Sequence, residues 1–498
     1  MQQAIESVAS MPAMLEARDS PLVLSLCTVF GPRTNPLTAT LLLACGASVV
    51  HAQQAPAPEK TAVQASPAPR PEDPAATGGS AGPQSPTFNE PTSIGEWPWQ
   101  SSTLTGDWAG LRSRLSDSGI TFNGTATLDL STVMGDAPGR GFVMPYLVDL
   151  NLSLDTQRMG LWNGGEVFLD FQQAGSTSPA TNYVPDYWGW DAIYPFATDF
   201  TELAQYWYQQ SLLDGAIRLK LGKIDANVDF AVSYPNLQFL NSAAYMPSVM
   251  AQDLPTYPNQ AGGFEVLLRP VDWLDAKFGM FDGSTNWYDP STGQSGPASG
   301  ERGVGGFFWD NPGSYFLIGE LDARWKAGAN PGHANIGWFE QTGQSAEPNT
   351  SMVPSPAGAQ DVAGPWGLYT SLSQTVFQPA GAEEGQGLSL FGQFGWSPPT
   401  ENPSQWSLMG GADWKGILED RPNDTAGFLT AYAHMSNLPS LGVSPGEGEW
   451  VVEAFYNIQV TPWLGIQPDL QWVRQPSDQP EYDIGGAWIL TFRVSMTF

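Results

Sequence analysis

The chain is poor in the residues on which soluble surfaces, disulfides and metal sites depend. Only 14% of its 498 residues are charged, whereas about 25% is usual for a soluble domain. Both cysteines, Cys27 and Cys45, lie near the N-terminus, which excludes disulfides and cysteine metal sites from the rest of the chain. Beyond residue 51 the two histidines, His333 and His434, are far apart and lack metal-ligand spacing. No metal site and no cofactor are therefore predicted.

Basic residues and long apolar runs are also scarce. Lys and Arg total 20 against 50 Asp and Glu, a net charge of -30, which argues against nucleic acid as a partner because phosphate binding needs basic patches. No run of about 20 apolar residues follows residue 53, so membrane-spanning helices are not predicted. Apolar residues nevertheless make up 41% of the chain. A transmembrane β-barrel accounts for this composition, because only alternate residues of its strands face lipid.

The first 52 residues have the pattern of an export signal. Arg33 precedes an apolar stretch over 37–50, which ends in a small-residue cleavage site. Residues 1–52 are therefore predicted to be a signal peptide that is cleaved after Ala52, with Met14 as an alternative translation start. Leu42 to Cys45 resembles a lipobox, so a lipoprotein signal is the rival interpretation.

Two short regions separate the signal from the body of the chain. Residues 53–104 are rich in Pro, Ala, Gln and Ser and have little to bury, which predicts a disordered periplasmic segment. Apolar residues from Trp108 onward then recur at helical spacing, with Asp107 suited to the helix start and Gly119 to its end. A short amphipathic helix is predicted within residues 105–119.

From residue 120 the apolar residues recur at every second position, which is typical of strands with one apolar and one polar face. About sixteen such segments occur, an even number within the range of bacterial barrels. The sequence therefore predicts an all-β fold, a 16-stranded antiparallel transmembrane β-barrel over residues 120–498. The predicted strands begin near residues 120, 146, 165, 203, 215, 262, 273, 314, 333, 366, 386, 404, 426, 448, 463 and 486.

The connections between these strands alternate in length. Barrels of this class place long loops outside the cell and short turns in the periplasm. The connections at 397–403 and 415–425 fit this alternation poorly. The long connections are predicted at 134–145, 174–202, 225–261, 283–313, 342–365, 435–447 and 474–485, and the short ones at 212–214, 270–272, 327–332 and 461–462.

Aromatic residues mark the strand ends and the end of the chain. The last strand alternates apolar and polar residues and stops on Phe498, the terminal aromatic that outer-membrane assembly machinery recognises. Aromatic girdles at the two membrane interfaces are predicted from Trp162, Trp273, Trp325 and Trp463.

Five stretches resemble the OprB-type carbohydrate-selective porin family. They are GDWAGLR at 106–112, LGKIDANVDF at 221–230 with FLNS at 239–242, WKGILEDRPNDTAGF at 414–428, EAFYNIQVTPWLGIQPDLQW at 453–472, and the closing strand. The resemblance implies a sixteen-stranded barrel in the outer membrane of a Gram-negative bacterium and passive uptake of glucose or related sugars. The Pro-rich segment is not part of the motif pattern.

Polar residues that alternate with apolar ones in a strand are expected to face the lumen, where they line a polar constriction or simply hydrogen-bond across the barrel wall. The long connection 225–261 is predicted to fold inward and narrow the pore above the fifth strand. The candidate pore-lining residues are Arg218, Lys220, Glu265, Arg269, Glu320, Asp322, Arg324 and Arg493. Tyr187, Trp188 and Trp190 crowd the connection 174–202, where they are candidates for an aromatic vestibule that stacks on sugars or for the packing of a folded loop.

The expected partners are sugars as transported solutes, outer-membrane lipids and the outer-membrane assembly machinery; the oligomeric state stays open. Two rival functions remain at this point. An outer-membrane barrel enzyme needs a nucleophile and a base, and no catalytic motif is found in the sequence. A secreted all-β binding protein or adhesin would be soluble without detergent.

Overall fold

The computed structural model describes most of the chain after residue 100. The predicted signal peptide and residues 53–100 of the predicted periplasmic segment lie outside the described residues. The described ranges are 101–137, 139–178, 183–184, 186–193, 199–233, 238–251, 253–282, 287–289, 294–296, 315–342, 344–346, 361–382, 385–400, 402–436, 448–475 and 484–498.

A short helix precedes the barrel, as the sequence predicts, although it is shorter than residues 105–119. A 3-10 turn at Trp108–Gly110 leads into helix α1, Leu111–Asp117, in which no residue is buried. Gly119 follows at a φ of +87°, and a Cβ there would lie 2.6 Å from the carbonyl oxygen of Asp155, so this helix end requires glycine.

The residues just before the helix already contact the barrel. The backbone N–H of Leu104 donates to the carbonyl of Thr497 at 2.8 Å. The predicted disordered segment therefore ends before Leu104. Among the described residues, no helix has both the length and the apolar character needed to cross a membrane.

The barrel wall consists of sixteen antiparallel strands, and every predicted strand is present within a few residues of its expected start. The strands are β1 (Ile120–Gly135), β2 (Tyr146–Asp155), β3 (Gly165–Gly175), β4 (Phe200–Leu212), β5 (Ile217–Ile224), β6 (Ala261–Val271), β7 (Leu274–Asp282), β8 (Tyr315–Ala327), β9 (Asn330–Gln341), β10 (Trp366–Phe377), β11 (Gly387–Trp396), β12 (Ser404–Lys415), β13 (Thr425–Met435), β14 (Gly448–Thr461), β15 (Leu464–Gln475) and β16 (Ile484–Thr497).

The barrel closes because its first and last strands pair. Strand β1 pairs with β16 from Thr125 opposite Thr497 to Gly135 opposite Ala487. The N–H of Phe498 adds a bond of 2.9 Å to the carbonyl of Gly124. The short strand Gly141–Val143 pairs along β1, and the short strands Trp287–Asp289, Gln294–Gly296, Gln344–Ala346 and Asp361–Ala363 form two small hairpin sheets apart from the wall. A closed sheet leaves no unpaired edge in the hydrocarbon region.

The connections alternate in length around the two rims, as the sequence predicts. The connections 272–273, 328–329 and 462–463 are two-residue turns on one rim, whereas 176–199 and 225–260 belong to the opposite rim. The connections 397–403 and 416–424 are again the least regular. Chain length outside the membrane is therefore concentrated on one rim of the barrel.

The alternation of side chains separates an apolar exterior from a polar interior. In β5, Leu221 is 54% exposed on the outer face, whereas the adjacent Lys220 is 6% exposed on the inner face. Leu150, Ile336 and Leu408 are likewise exposed. A closed barrel with this exterior meets the requirements of a lipid bilayer, where the backbone must be fully paired and outward side chains must be apolar.

Three of the four predicted girdle tryptophans are exposed near strand ends. They are Trp162, Trp273 and Trp325, all on the rim of short turns. Trp463 is buried at 8% exposure, so its assignment to the girdle is wrong. Its position in the turn between β14 and β15 resembles theirs in sequence, but only tertiary contacts decide whether a turn residue packs inward.

Candidate functional site: the barrel lumen

The long connection 225–260 folds into the lumen, as the sequence predicts. The N–H of Ala231 donates to the carboxylate of Glu320 on β8 at 2.8 Å. Further along, the N–H of Asn241 donates to Glu453 on β14 at 3.1 Å, and that of Ser248 donates to the hydroxyl of Ser407 on β12 at 3.0 Å. The connection therefore touches strands from β8 to β14 and crosses the interior, and we call it the inner loop.

Apolar side chains hold the inner loop against the wall. The ring centroid of Phe239 lies 4.9 Å from that of Phe455 and 5.6 Å from that of Phe391. Phe230 and Met250 are buried in a second cluster with wall phenylalanines. This packing excludes water from part of the lumen and gives the loop a defined position.

Next to the start of the inner loop, the wall carries a charged network. Arg218 and Lys220 on β5 both donate to the carboxylate of Asp229, which belongs to the inner loop. Lys220 Nζ also lies 3.2 Å from Glu265 on β6. The two basic residues of β5 therefore link the wall to the loop.

The network continues through β7, β8 and β9. Lys277 Nζ donates to Glu320 at 2.9 Å, to Asp322 at 2.8 Å and to the backbone carbonyl of Asp229 at 2.8 Å. His333 Nε2 lies 3.0 Å from Asp322. Lys277 thus joins the two carboxylates of β8 to the inner loop.

At the edge nearer the short turns, Asp275 is shared by two arginines. Arg269 Nε and Arg324 Nη1 each donate to Asp275 at 2.8 Å. The exposed fractions of the side chains are 35% for Arg324, 26% for Arg269 and 13% for Arg218. These three guanidinium groups retain contact with solvent, as does the ring of His333, whose side chain is 17% exposed.

The charge of Asp229 is fixed by its partners. Burial alone would raise the pKa of this carboxyl, but the facing Arg218 and Lys220 outweigh burial and hold the pKa well below its ordinary range. Asp229 is therefore ionised at neutral pH. Asp229, Asp275, Lys277 and His333 complete the network, and none of them is among the eight candidates predicted from the sequence.

A sequence signal exists for some of these missed residues. Asp275 and Lys277 alternate with the apolar residues of β7, so the pattern that placed Arg218 inside also places them inside. Asp229 has no such signal, because its position depends on how the inner loop folds.

Seven of the eight candidate pore residues meet in this network, and Arg493 does not. Of the seven, Lys220, Glu265, Glu320 and Asp322 are buried, so their assignment as pore-lining residues is corrected as well. Arg493 Nη2 lies 2.6 Å from Asp129 on β1 and 3.8 Å from Asp191, and the residue is 2% exposed. Its assignment as a pore-lining residue is corrected: alternation places it inside the barrel, but the buried ion pair at the β1–β16 junction withdraws it from solute.

The aromatic vestibule is also corrected. Trp188 is 5% exposed and Trp190 is 1% exposed, so neither ring face is open to a sugar. Tyr187 lies beside them, with its N–H donating to Glu449 at 2.6 Å. The packing alternative therefore describes Trp188 and Trp190, whose rings fill space inside the barrel, whereas Tyr187 is half-buried.

Comparison with known proteins agrees with this architecture. Porin B of Pseudomonas aeruginosa is 22% identical over 429 residues, which cover 77% of this chain and 89% of Porin B. The high-pH structure of Pseudomonas putida OprB superimposes with a TM-score of 0.66 at 20% identity, covering 80% of this chain and 99% of that one. The low-pH structure of the same protein gives a TM-score of 0.51 at 18% identity, covering 81% and 100%.

A match to a protein-family model shows which family the chain belongs to. The model of the carbohydrate-selective porin, OprB family, matches residues 146–498, which run from β2 to the end of the chain. The alternative of a secreted binding protein is set aside, because the closed barrel and this match together indicate a membrane channel. The chain therefore belongs to the OprB family of carbohydrate-selective porins and is a β-barrel of the bacterial outer membrane.

Proposed function

We propose that the protein lets neutral sugars and polyols of about the size of glucose diffuse passively past the charged network of β5–β9, without catalysing a reaction. The observation that supports this most is the set of three partly exposed arginines beside paired carboxylates. Sixteen-stranded barrels are wide enough for an aqueous channel, and the inner loop narrows this one.

The balance of charge in the network suits an uncharged solute. Five basic side chains face five carboxylates, so the network has little net charge although the whole chain carries -30. Such a wall offers hydrogen-bond donors and acceptors to hydroxyl groups without holding a counter-ion in the passage. The basic members are Arg218, Lys220, Arg269, Lys277 and Arg324, and the acidic members are Asp229, Glu265, Asp275, Glu320 and Asp322.

Weak binding is part of the proposal. A solute that binds tightly would block the channel, so an affinity near millimolar, about -4 kcal/mol, is appropriate. Arg324 and Arg269 make the direct contacts, because they are the most exposed members. Lys220, Glu265, Glu320 and Asp322 are buried and hold the arginines and the inner loop in place.

The exterior suggests the remaining partners. Outward leucines and phenylalanines contact outer-membrane lipids, and the closing strand that ends at Phe498 is the segment that the assembly machinery would engage. This engagement would follow export and removal of the predicted signal peptide.

The test is sugar permeation with a matched pair of variants. Proteoliposome swelling should show entry of glucose, and glucose should reduce the ion current in planar bilayers. Arg324→Ala should weaken this block by roughly 2- to 10-fold, the range expected for one lost hydrogen bond of about 0.5–1.5 kcal/mol.

Arg474→Ala is the control, because Arg474 is an exposed arginine of β15 on the same outward face as Leu470. Wild-type protein that conducts ions but excludes every sugar would refute sugar transport. Equal block in wild type and Arg324→Ala would remove Arg324 from the passage.

A further inference from the structure

A second connection also lies inside the barrel, and it is bound to the inner loop. The N–H of Ser242 donates to the carbonyl of Gly189 at 3.0 Å, and the N–H of Ala192 donates to the carbonyl of Leu240 at 2.7 Å. The indole N–H of Trp188 donates to the carbonyl of Met246 at 3.3 Å. Residues 186–193, which we call the second loop, therefore form one body with the middle of the inner loop.

Two carboxylates of one strand hold this two-loop body. Glu449 on β14 accepts the N–H of Tyr187 at 2.6 Å and that of Trp188 at 3.3 Å. Glu453, on the same face of β14, accepts the N–H groups of Leu240 and Asn241. Each carboxylate therefore binds two successive backbone N–H groups, one pair in each loop.

Glu449 and Glu453 reach two different parts of the two-loop body from one face of β14. Residues four apart on a strand lie on one face, about 13 Å apart along it. Glu449 and Glu453 are 1% and 0% exposed, so their hydrogen bonds are protected from water. Gln471 on β15 adds a neutral link, accepting from Asn241 Nδ2 at 3.2 Å and donating to the carbonyl of Trp190 at 3.0 Å.

We propose that Glu449 and Glu453 are positioning residues that hold the two loops as a single constriction. They thereby set the diameter of the pore and keep its ion current at one level. The inference rests on the proposed function only in requiring that solutes pass beside the inner loop. The pore diameter is determined by the joint position of the two loops, and neither carboxylate contacts the solute.

Neutral variants test the positioning role. Glu453→Gln and Glu449→Gln each replace one acceptor oxygen with an N–H₂ donor that opposes the loop N–H groups. We expect the fraction of time spent in conductance levels above the main level to rise about tenfold in each variant, the change that about 1.4 kcal/mol produces. The double variant should rise further and should admit trisaccharides that the wild type excludes in swelling assays.

Asp413→Asn is the matched control. Asp413 on β12 lies on the lumen side of the alternation, and its substitution makes the same chemical change from carboxyl to amide. Its carboxylate has a buried oxygen without a hydrogen-bond partner among the described residues. The control should keep the wild-type current levels and size limit.

The outcomes separate loop position from folding and from sugar specificity. Each variant is first checked for a heat-modifiable barrel on gels, and the readout is ion current, which does not depend on glucose being the solute. If Glu453→Gln does not fold, Glu453→Asp replaces it, because it keeps the carboxyl group and withdraws that group from the loop by one methylene. The proposal is overturned if folded Glu449 and Glu453 variants keep the current levels and the size limit of the wild type. An equal change in Asp413→Asn overturns it as well.

Discussion

The two sides of the lumen use charge in different ways. On the β5–β9 side, five basic groups and five carboxylates pair with one another, and Arg324, Arg269 and Arg218 keep 35%, 26% and 13% of their side-chain surface exposed. On the β14–β16 side, Glu449, Glu453 and Gln471 bind loop backbone and are at most 1% exposed. Arg493 serves the β1–β16 junction there.

This difference shows how one barrel can be both filled and permeable. Backbone N–H groups need only acceptors, so a side with carboxylates and an amide is sufficient to dock the two loops. A passage for polyols needs donors as well as acceptors, and the arginines on the opposite side supply the donors. The two loops dock together on the β14–β16 side, and the inner loop also reaches the ion-paired side, where Arg324 and Arg269 stay in contact with water.

The largest predicted effect is a loss of folding stability when the buried ion pair on the β14–β16 side is broken. Arg493→Ala leaves Asp129, which is 0% exposed, without its partner, and removing one member of a buried pair costs about 3–5 kcal/mol. Arg324→Ala on the open side should cost less than about 1 kcal/mol. Urea unfolding followed by tryptophan fluorescence measures both. The double variant Arg493→Leu with Asp129→Leu should recover most of the loss, and equal stability of the two single alanine variants would contradict the contrast between the two sides.

An intermediate effect is expected where the open side meets the inner loop. Arg218 holds Asp229, whereas the partners of Arg324 among the described residues are Asp275, Asp322 and the turn residue Asp272. Arg218→Ala should therefore increase current noise and also shift the reversal potential toward cation selectivity, whereas Arg324→Ala should shift the potential alone. Loss of the Arg324 contact with sugar should weaken block by roughly 2- to 10-fold. If Arg218→Ala changes neither noise nor reversal potential, Arg218 is only a wall residue and the inner loop does not depend on it.

The smallest predicted effect is that of pH on the current noise that depends on Asp229. Because the pKa of Asp229 is held below its ordinary value by Arg218 and Lys220, its contribution to loop stability is complete above an unfolded pKa of about 3.9. The contribution is lost only as the pH falls from there through the lower folded pKa. The difference in current noise between wild type and Asp229→Asn should therefore be the same at pH 7 and pH 5. A wild-type channel that already behaves like Asp229→Asn at pH 5 would show that the ion pairs do not protect this carboxylate.

Three elements show how far the sequence reaches. Strand β5 could be predicted in position and orientation, because alternation between Leu219 and Lys220 depends only on neighbours along the chain. The inner loop could be predicted to enter the lumen, but its contact between Asp229 and β5 could not. Trp190 looked like a binding platform, because an aromatic residue in a loop has the same sequence pattern whether it is exposed or buried.

By itself, the sequence determined a sixteen-stranded barrel with an apolar exterior, a closing strand ending at Phe498, and the side of the wall on which residues of regularly alternating strands such as β5 lie. These features follow from a period of two residues, which is a local property of the chain. The tertiary structure alone decided which inward charges remain open to solute and which are buried, as Arg324 and Arg493 show. That decision depends on where two loops fold and which strands close the barrel, and both join residues hundreds of positions apart, as in the bond from Tyr187 to Glu449.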